Sequence, residues 1–169
     1  MTLSLYDIAA PLFRVQLSAL AAVLDKGAAS AEARKIDPAV LLGARLAPDM
    51  FPLTRQVQIA TDIARGCVAR LAGLEPPKED DTETSFAELK ARIQRTIDYI
   101  DGVSPAALEG AERREITLKQ RTGEITMSGI KYLTWFAIPN VGFHSTTAYN
   151  ILRHNGVEIG KRDFLGPKD

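Results

Sequence analysis

Apolar residues recur every three and four positions in four separate segments of this chain, and no other feature constrains its fold as strongly. An α-helix turns once per 3.6 residues, so this spacing gathers oily side chains on one face and obliges each helix to bury that face against another. In the first segment, residues 4–26, the stripe is Leu5, Ile8, Ala9, Leu12, Phe13, Leu17, Leu20 and Leu24. Ser4 followed by Asp7 predicts a capping box with Asp in place of Glu, and Pro11 predicts a bend. The second segment runs from Met50 or Pro52 to Leu71, with Asp49 as its cap and Leu53, Val57, Ala60, Ala64 and Cys67 facing inward. The third, Ser85 to Ile100, opens on a Ser85–Glu88 capping box and carries Phe86, Leu89, Ile93 and Ile97. The fourth spans Val141 to His154, with His144, Ser145, Ala148, Ile151 and Leu152 on its inner side, and Asn155-Gly156 stops it.

The connections between these segments differ from one another. After Gly27 an alanine-rich stretch predicts a separate short helix, and Asp37 then caps one or two further turns that begin at Pro38. The charged, proline-marked run EPPKEDDTETS reads as a solvated connection whose charge serves solubility. Ser104-Pro105 restarts a short helix through Leu108. The period then changes to two: Glu115–Lys119 and Glu124–Met127 alternate around Thr122-Gly123, the pattern of a β-hairpin whose Ile116, Leu118, Ile125 and Met127 can cover the helices. Helix resumes at Gly129 and breaks at Pro139-Asn140, and the tail from Val157 is expected to be irregular, anchored by Phe164 and Leu165. One all-α domain over residues 1–169 follows, a helical bundle with a small β-hairpin inserted before the last helical region.

Charge and motif content exclude several function classes. Basic and acidic residues balance at 21 each with no basic block, so no nucleic-acid surface is expected. A single cysteine, Cys67, allows no intramolecular disulfide and suits a reducing, cytoplasmic setting, and no run of about eighteen uninterrupted apolar residues suggests a membrane span. Phosphate loops, serine elbows, paired-cysteine sites and zincin patterns are missing from the sequence, and no cofactor is implied. The two histidines, His144 and His154, lie about 15 Å apart along one straight helix and cannot share a metal. Tyr132, Trp135, Phe136, Phe143 and Tyr149 surround the proline break and read as core or as a dimer face.

Four stretches carry a resemblance: Ala44–Leu53 (ARLAPDMFPL), Gln56–Ala60 (QVQIA), Thr146–Tyr149 (TTAY) and Leu152–Phe164 (LRHNGVEIGKRDF). They are similar to the bacterial domain-of-unknown-function family 1993 (DUF1993), which looks like a branch of the DinB-like superfamily. The resemblance implies a four-helix bundle in up-up-down-down order that often dimerises. Many DinB-like proteins hold a metal with three histidines, one on the second bundle helix and two spaced by four on the last, and some of those are thiol-dependent transferases. Here His144 falls where the last-helix pair begins, but Ala148 stands four residues on and residues 50–71 contain no histidine. The expectation is therefore a homodimer without the usual three-histidine metal site. Arg45, Asp49, Gln56, His144 and Tyr149 are the polar residues expected around a mouth of the bundle, placed to hydrogen-bond a small polar ligand. Three function classes stay open: a homodimeric structural or interaction protein, a small-ligand or stress-related module, and a DinB-like transferase with an atypical metal site. Whether the chain is an enzyme is not decided by its sequence.

Overall fold

Ser4 and Asp7 close a capping box at the start of helix α1 (Leu5–Ala33), the Asp7 amide donating to Ser4 Oγ at 3.2 Å and the Ser4 amide to Asp7 Oδ2 at 3.0 Å. This is a computed structural model, and it describes residues 4–120 and 123–166. Pro11 lies inside α1, and the helix runs on past Gly27 instead of stopping there. A methyl group at Gly27 would sit 3.1 Å from both Leu152 Cδ2 and Phe86 Cε1, so the bare Cα is what admits two neighbouring helices to this point. Close packing there, with Gly27 and Ala31 buried, outweighs the roughly 1 kcal/mol that glycine costs within a helix. By length and composition α1 is apolar enough to cross a membrane. Its stripe from Leu5 to Ala31 is instead buried against other helices, as in the core helix of a folded domain.

Helix α2 (Pro38–Leu42) begins as its sequence predicts, with Asp37 Oδ1 accepting from the Ala39 amide at 2.9 Å. Helix α3 (Leu53–Leu71) begins later than expected. Pro52 occupies its cap position with no side-chain cap, which leaves Asp49 exposed and a full turn too early to cap anything. The α3 start is tied down by neighbouring residues instead: the Leu53 amide donates to the Ala44 carbonyl at 3.0 Å, and Thr54 Oγ1 to the Leu42 carbonyl at 3.2 Å. Helix α4 (Phe86–Gly102) carries the predicted Ser85–Glu88 capping box. α1 packs on α4 and α6, while α3 packs on α4 and α6, around a core that includes Phe13, Leu17, Leu24, Leu53, Leu89, Ile100 and Leu152. Cys67 belongs to this core, and burial pushes its thiol far up from the ordinary range, as expected of a packing residue.

The hairpin pairs β1 (Glu115–Gln120) with β2 (Gly123–Ser128) antiparallel, setting Ile116 opposite Met127 and Leu118 opposite Ile125. Thr122 of the anticipated turn lies outside the described residues. Ile116 and Leu118 are buried and Met127 half-buried, but Ile125 is exposed, so the apolar face is covered along β1 and bare on β2 at Ile125. Gly129 fixes the junction beyond β2: its amide donates to the Arg114 carbonyl at 2.8 Å, and any Cβ there would collide with the Ala111 carbonyl oxygen.

From Gly129 the helical run does not break at Pro139-Asn140 as its sequence suggests. A short α5 (Gly129–Lys131) passes through a π-helical turn, Tyr132–Ala137, into α6 (Ile138–His154). Pro139 has no amide hydrogen, and a wider turn immediately before it absorbs the missing donor. Asn140 helps, its side-chain amide donating to the Phe136 carbonyl at 2.7 Å. The tail is more ordered than expected. Val157 and Ile159 are its buried anchors, and Lys161–Leu165 forms a short α7 held on α1 by the Lys26–Asp163 ion pair at 2.7 Å.

Candidate functional site

His144 stands on α6 facing the N-terminal turn of α3, half-buried, and its Nδ1 lies 2.6 Å from Gln56 Oε1. Gln56 is itself 1% exposed, and its Nε2 donates to the Phe51 carbonyl at 2.9 Å. That second bond fixes which end of the amide meets the histidine. With Oε1 as the acceptor, Nδ1 carries the proton and Nε2 is left with a free lone pair. Burial, helped by the Arg55 cation, holds the His144 pKa below the usual imidazole value, so the ring is neutral near pH 7. The Phe143 ring meets it edge-on at 5.2 Å.

Of the five polar residues singled out from sequence, the structure joins two directly, His144 and Gln56. Arg45 is exposed and donates to the Met50 carbonyl, so it ties its loop to backbone and not to a carboxylate. Asp49 is exposed on the same loop. Tyr149 goes elsewhere: it lies edge-on to Phe164 at 5.8 Å and borders a gap between α1, α6 and α7. His154 is exposed in the last turn of α6. A cavity of about 610 Å³ opens between the hairpin and the π-helical turn, with Arg113, Lys131 and Trp135 among its walls and none of the five.

A second polar cluster went unseen in the sequence. Arg92 on α4 is completely buried and bonds Asp62 Oδ1 at 2.7 Å, Thr61 Oγ1 at 2.9 Å, Glu83 Oε1 at 3.1 Å and the Asp80 carbonyl at 3.0 Å. Arg65 joins Asp62 and Glu79, Arg95 joins Glu79, Arg55 joins Asp81, and Gln58 donates to Glu83 at 2.8 Å. The run read as a solvated connection is therefore a strap across α3 and α4, in which Glu79, Asp81 and Glu83 are paired with cations of the two helices. Burial raises the Glu83 pKa, but bonds from Gln58 and Arg92 more than offset this and hold it below the usual carboxylate value. A cue was available: Gln58, Asp62 and Arg65 share one face of α3, and Arg92 interrupts the apolar stripe of α4.

The DUF1993 sequence profile, a domain of unknown function, matches residues 5–165. The chain belongs to the DUF1993 family. A DinB family member protein from Shewanella denitrificans, solved by crystallography, is similar to this DUF1993 chain at 47% identity and a TM-score of 0.91, covering 97% of this chain and 93% of that one. No curated protein matches. The fold is thus DinB-like and mostly helical with one two-stranded antiparallel sheet. In DinB-like proteins with a metal, imidazoles converge on it. In this DUF1993 chain the donor set around His144 does not fit that role: a neutral amide takes its Nδ1, a cation stands nearby, and Ala148 is one turn on. Among the described residues no three His, Cys, Asp or Glu side chains come together as a metal would require.

Proposed function

We propose that this protein is a four-helix bundle of the up-up-down-down kind that works as a homodimer in the cytoplasm, without the three-histidine metal site of its DinB-like relatives. The observation that carries the dimer is aromatic exposure. Phe51 and Phe143, 54% and 56% exposed, flank the His144–Gln56 pair, and Trp135, 72% exposed, precedes Phe143 by about two turns on the same helical run. Large rings left bare to this extent are what a self-associating surface presents. The metal-free reading is supported by the histidine count of two and by the amide on Nδ1. Sedimentation velocity tests the dimer: wild type is expected at twice the chain mass, and Phe143→Glu with Trp135→Glu at the chain mass. A wild-type monomer at micromolar concentration refutes it. Zinc titration by calorimetry is expected to give no stoichiometric binding, and a tight one-to-one isotherm overturns the metal-free reading.

The locked tautomer of His144 favours a second reading, a small-ligand module. Its Nε2 is a neutral acceptor, suited to a ligand that brings an N–H or O–H donor. The pKa is lowered, so the ring is expected to stay neutral until the pH falls below the ordinary 6.5 and to gain its proton only under more acid conditions. Nitrogen-15 spectra of labelled histidine read this directly, and acetamide serves as the donor-bearing probe. A ring already charged at pH 6.5, or one that acetamide leaves unshifted, removes this reading.

A further inference from the structure

Ser145 on α6 is 1% exposed, and its hydroxyl has no hydrogen-bond partner. Other hydroxyls on helices of this chain fold back on the carbonyl one turn earlier: Thr96 onto Arg92 at 3.0 Å, Thr134 onto Ile130 at 2.7 Å and Thr147 onto Phe143 at 2.8 Å. Ser145 does not take that default. It borders the gap between α1, α6 and α7, and so does Gln16 of α1, whose Oε1 is likewise buried and unpartnered. Two unpaired polar atoms at one spot cost about 1–3 kcal/mol each, which folded proteins ordinarily avoid. No water-sized sphere fits within the gap, so water does not satisfy them in this closed arrangement.

Phe164 of α7 closes the gap, and its other side faces a groove of about 560 Å³ along α1 and α6. The groove walls are Pro11, Leu12, Val15, Ile138, Gly142 and Leu165, with Gln16 and Phe164 common to both spaces. Among the described residues no charged side chain lines either one. Phe164 sits on a short element: α7 has five residues, packs on α1 and is tied to it by the half-exposed Lys26–Asp163 pair. Such surface pairs contribute about 0–1 kcal/mol.

We propose that this groove is a binding site for a neutral amphiphile, whose aliphatic chain lies between α1 and α6 and whose hydroxyl head passes Phe164 to bond Gln16 and Ser145. The volume is in the range of small-molecule sites, the walls select an uncharged chain, and the unpaired atoms select a head that both donates and accepts. A carboxylate head finds no cation there, and a plain alkane leaves both polar atoms unpaired. This site is separate from the His144–Gln56 pair and does not depend on its role.

The test uses the full chain and 1-octanol, with octanoate as the charged comparison. Saturable shifts are expected at the Gly142, Ser145 and Phe164 amides in nitrogen–proton spectra, with octanoate at least about tenfold weaker at pH 7. Ser145→Ala is expected to weaken octanol by about three- to tenfold, the worth of one neutral hydrogen bond. Gly142→Leu fills the groove, since a Cβ there meets only Gln16 Nε2 at 3.7 Å, and is expected to abolish binding while circular dichroism stays unchanged. Equal binding of octanoate, or octanol affinity indifferent to Ser145→Ala, overturns the assignment. So does a shift from dimer to monomer on Gly142→Leu, which would mean that a second copy covers this groove.

Discussion

Beneath the strap of residues 75–85, Arg92 is wholly buried and each of its nitrogens meets an acceptor, whereas between α1 and α6 the buried Gln16 Oε1 and Ser145 Oγ meet no partner among the described residues. Both regions put polar atoms where water does not reach, and they differ in whether the chain supplies the partners. A charge buried with its partners in place acts as a fastener, because losing any one of them strands the rest. A neutral pair buried without partners is a small standing cost, tolerated where something else completes it.

The sharpest way to break this contrast is Arg92→Met. It leaves Glu83, 5% exposed at its side chain, with only the more distant Arg95 cation at 3.9 Å, and is expected to lower the unfolding free energy by about 3–5 kcal/mol in urea titrations. A loss under about 1 kcal/mol would mean that the strap is decoration. Glu83→Gln removes one acceptor charge and is expected to cost about 1–3 kcal/mol at pH 7. The same residue sets an acid limit. Its folded pKa lies below the ordinary 4.5, so its contribution is present above that value and is lost as pH falls through the lowered one. Wild type should therefore destabilise below about pH 4.5 more steeply than Glu83→Gln, read from melting temperatures across the acid range. Ser145→Ala works in the opposite direction, removing an unpaired hydroxyl, and is expected to raise stability by up to about 1 kcal/mol. Smallest of all is Arg14→Ala at the exposed Arg14–Asp101 pair, expected to cost less than about 1 kcal/mol and to vanish in high salt.

Helices were legible in the sequence wherever a stripe and a cap agreed. Ser4 with Asp7, Asp37 with Pro38, and Ser85 with Glu88 each mark a start that the structure keeps. Elements were misread where a local stop signal competed with packing. Gly27 resembles a terminator, but its missing side chain is needed for the approach of Leu152 and Phe86, and Pro139 resembles a break that a wider turn accommodates. The strap was misread because its acids have partners 9 to 26 residues away on two other helices, a relation that composition does not display. Of the candidate site, the His144–Gln56 meeting follows from both side chains facing inward on packed helices. Tyr149 shares the α6 sequence with His144 but serves α7, and Gln16 offered no signal at all beyond a polar residue within an apolar stripe.

The Tyr132–Ala137 turn is wider than the helix on either side of it, so it offsets the rotational setting of α6 from that of Gly129. A regular helix would lock the azimuth of His144 and Ser145 to that of Gly129. One residue removed from the wide turn would swing everything ahead of it by about 100° about the axis, driving a side chain into the Ala111 carbonyl where only hydrogen fits.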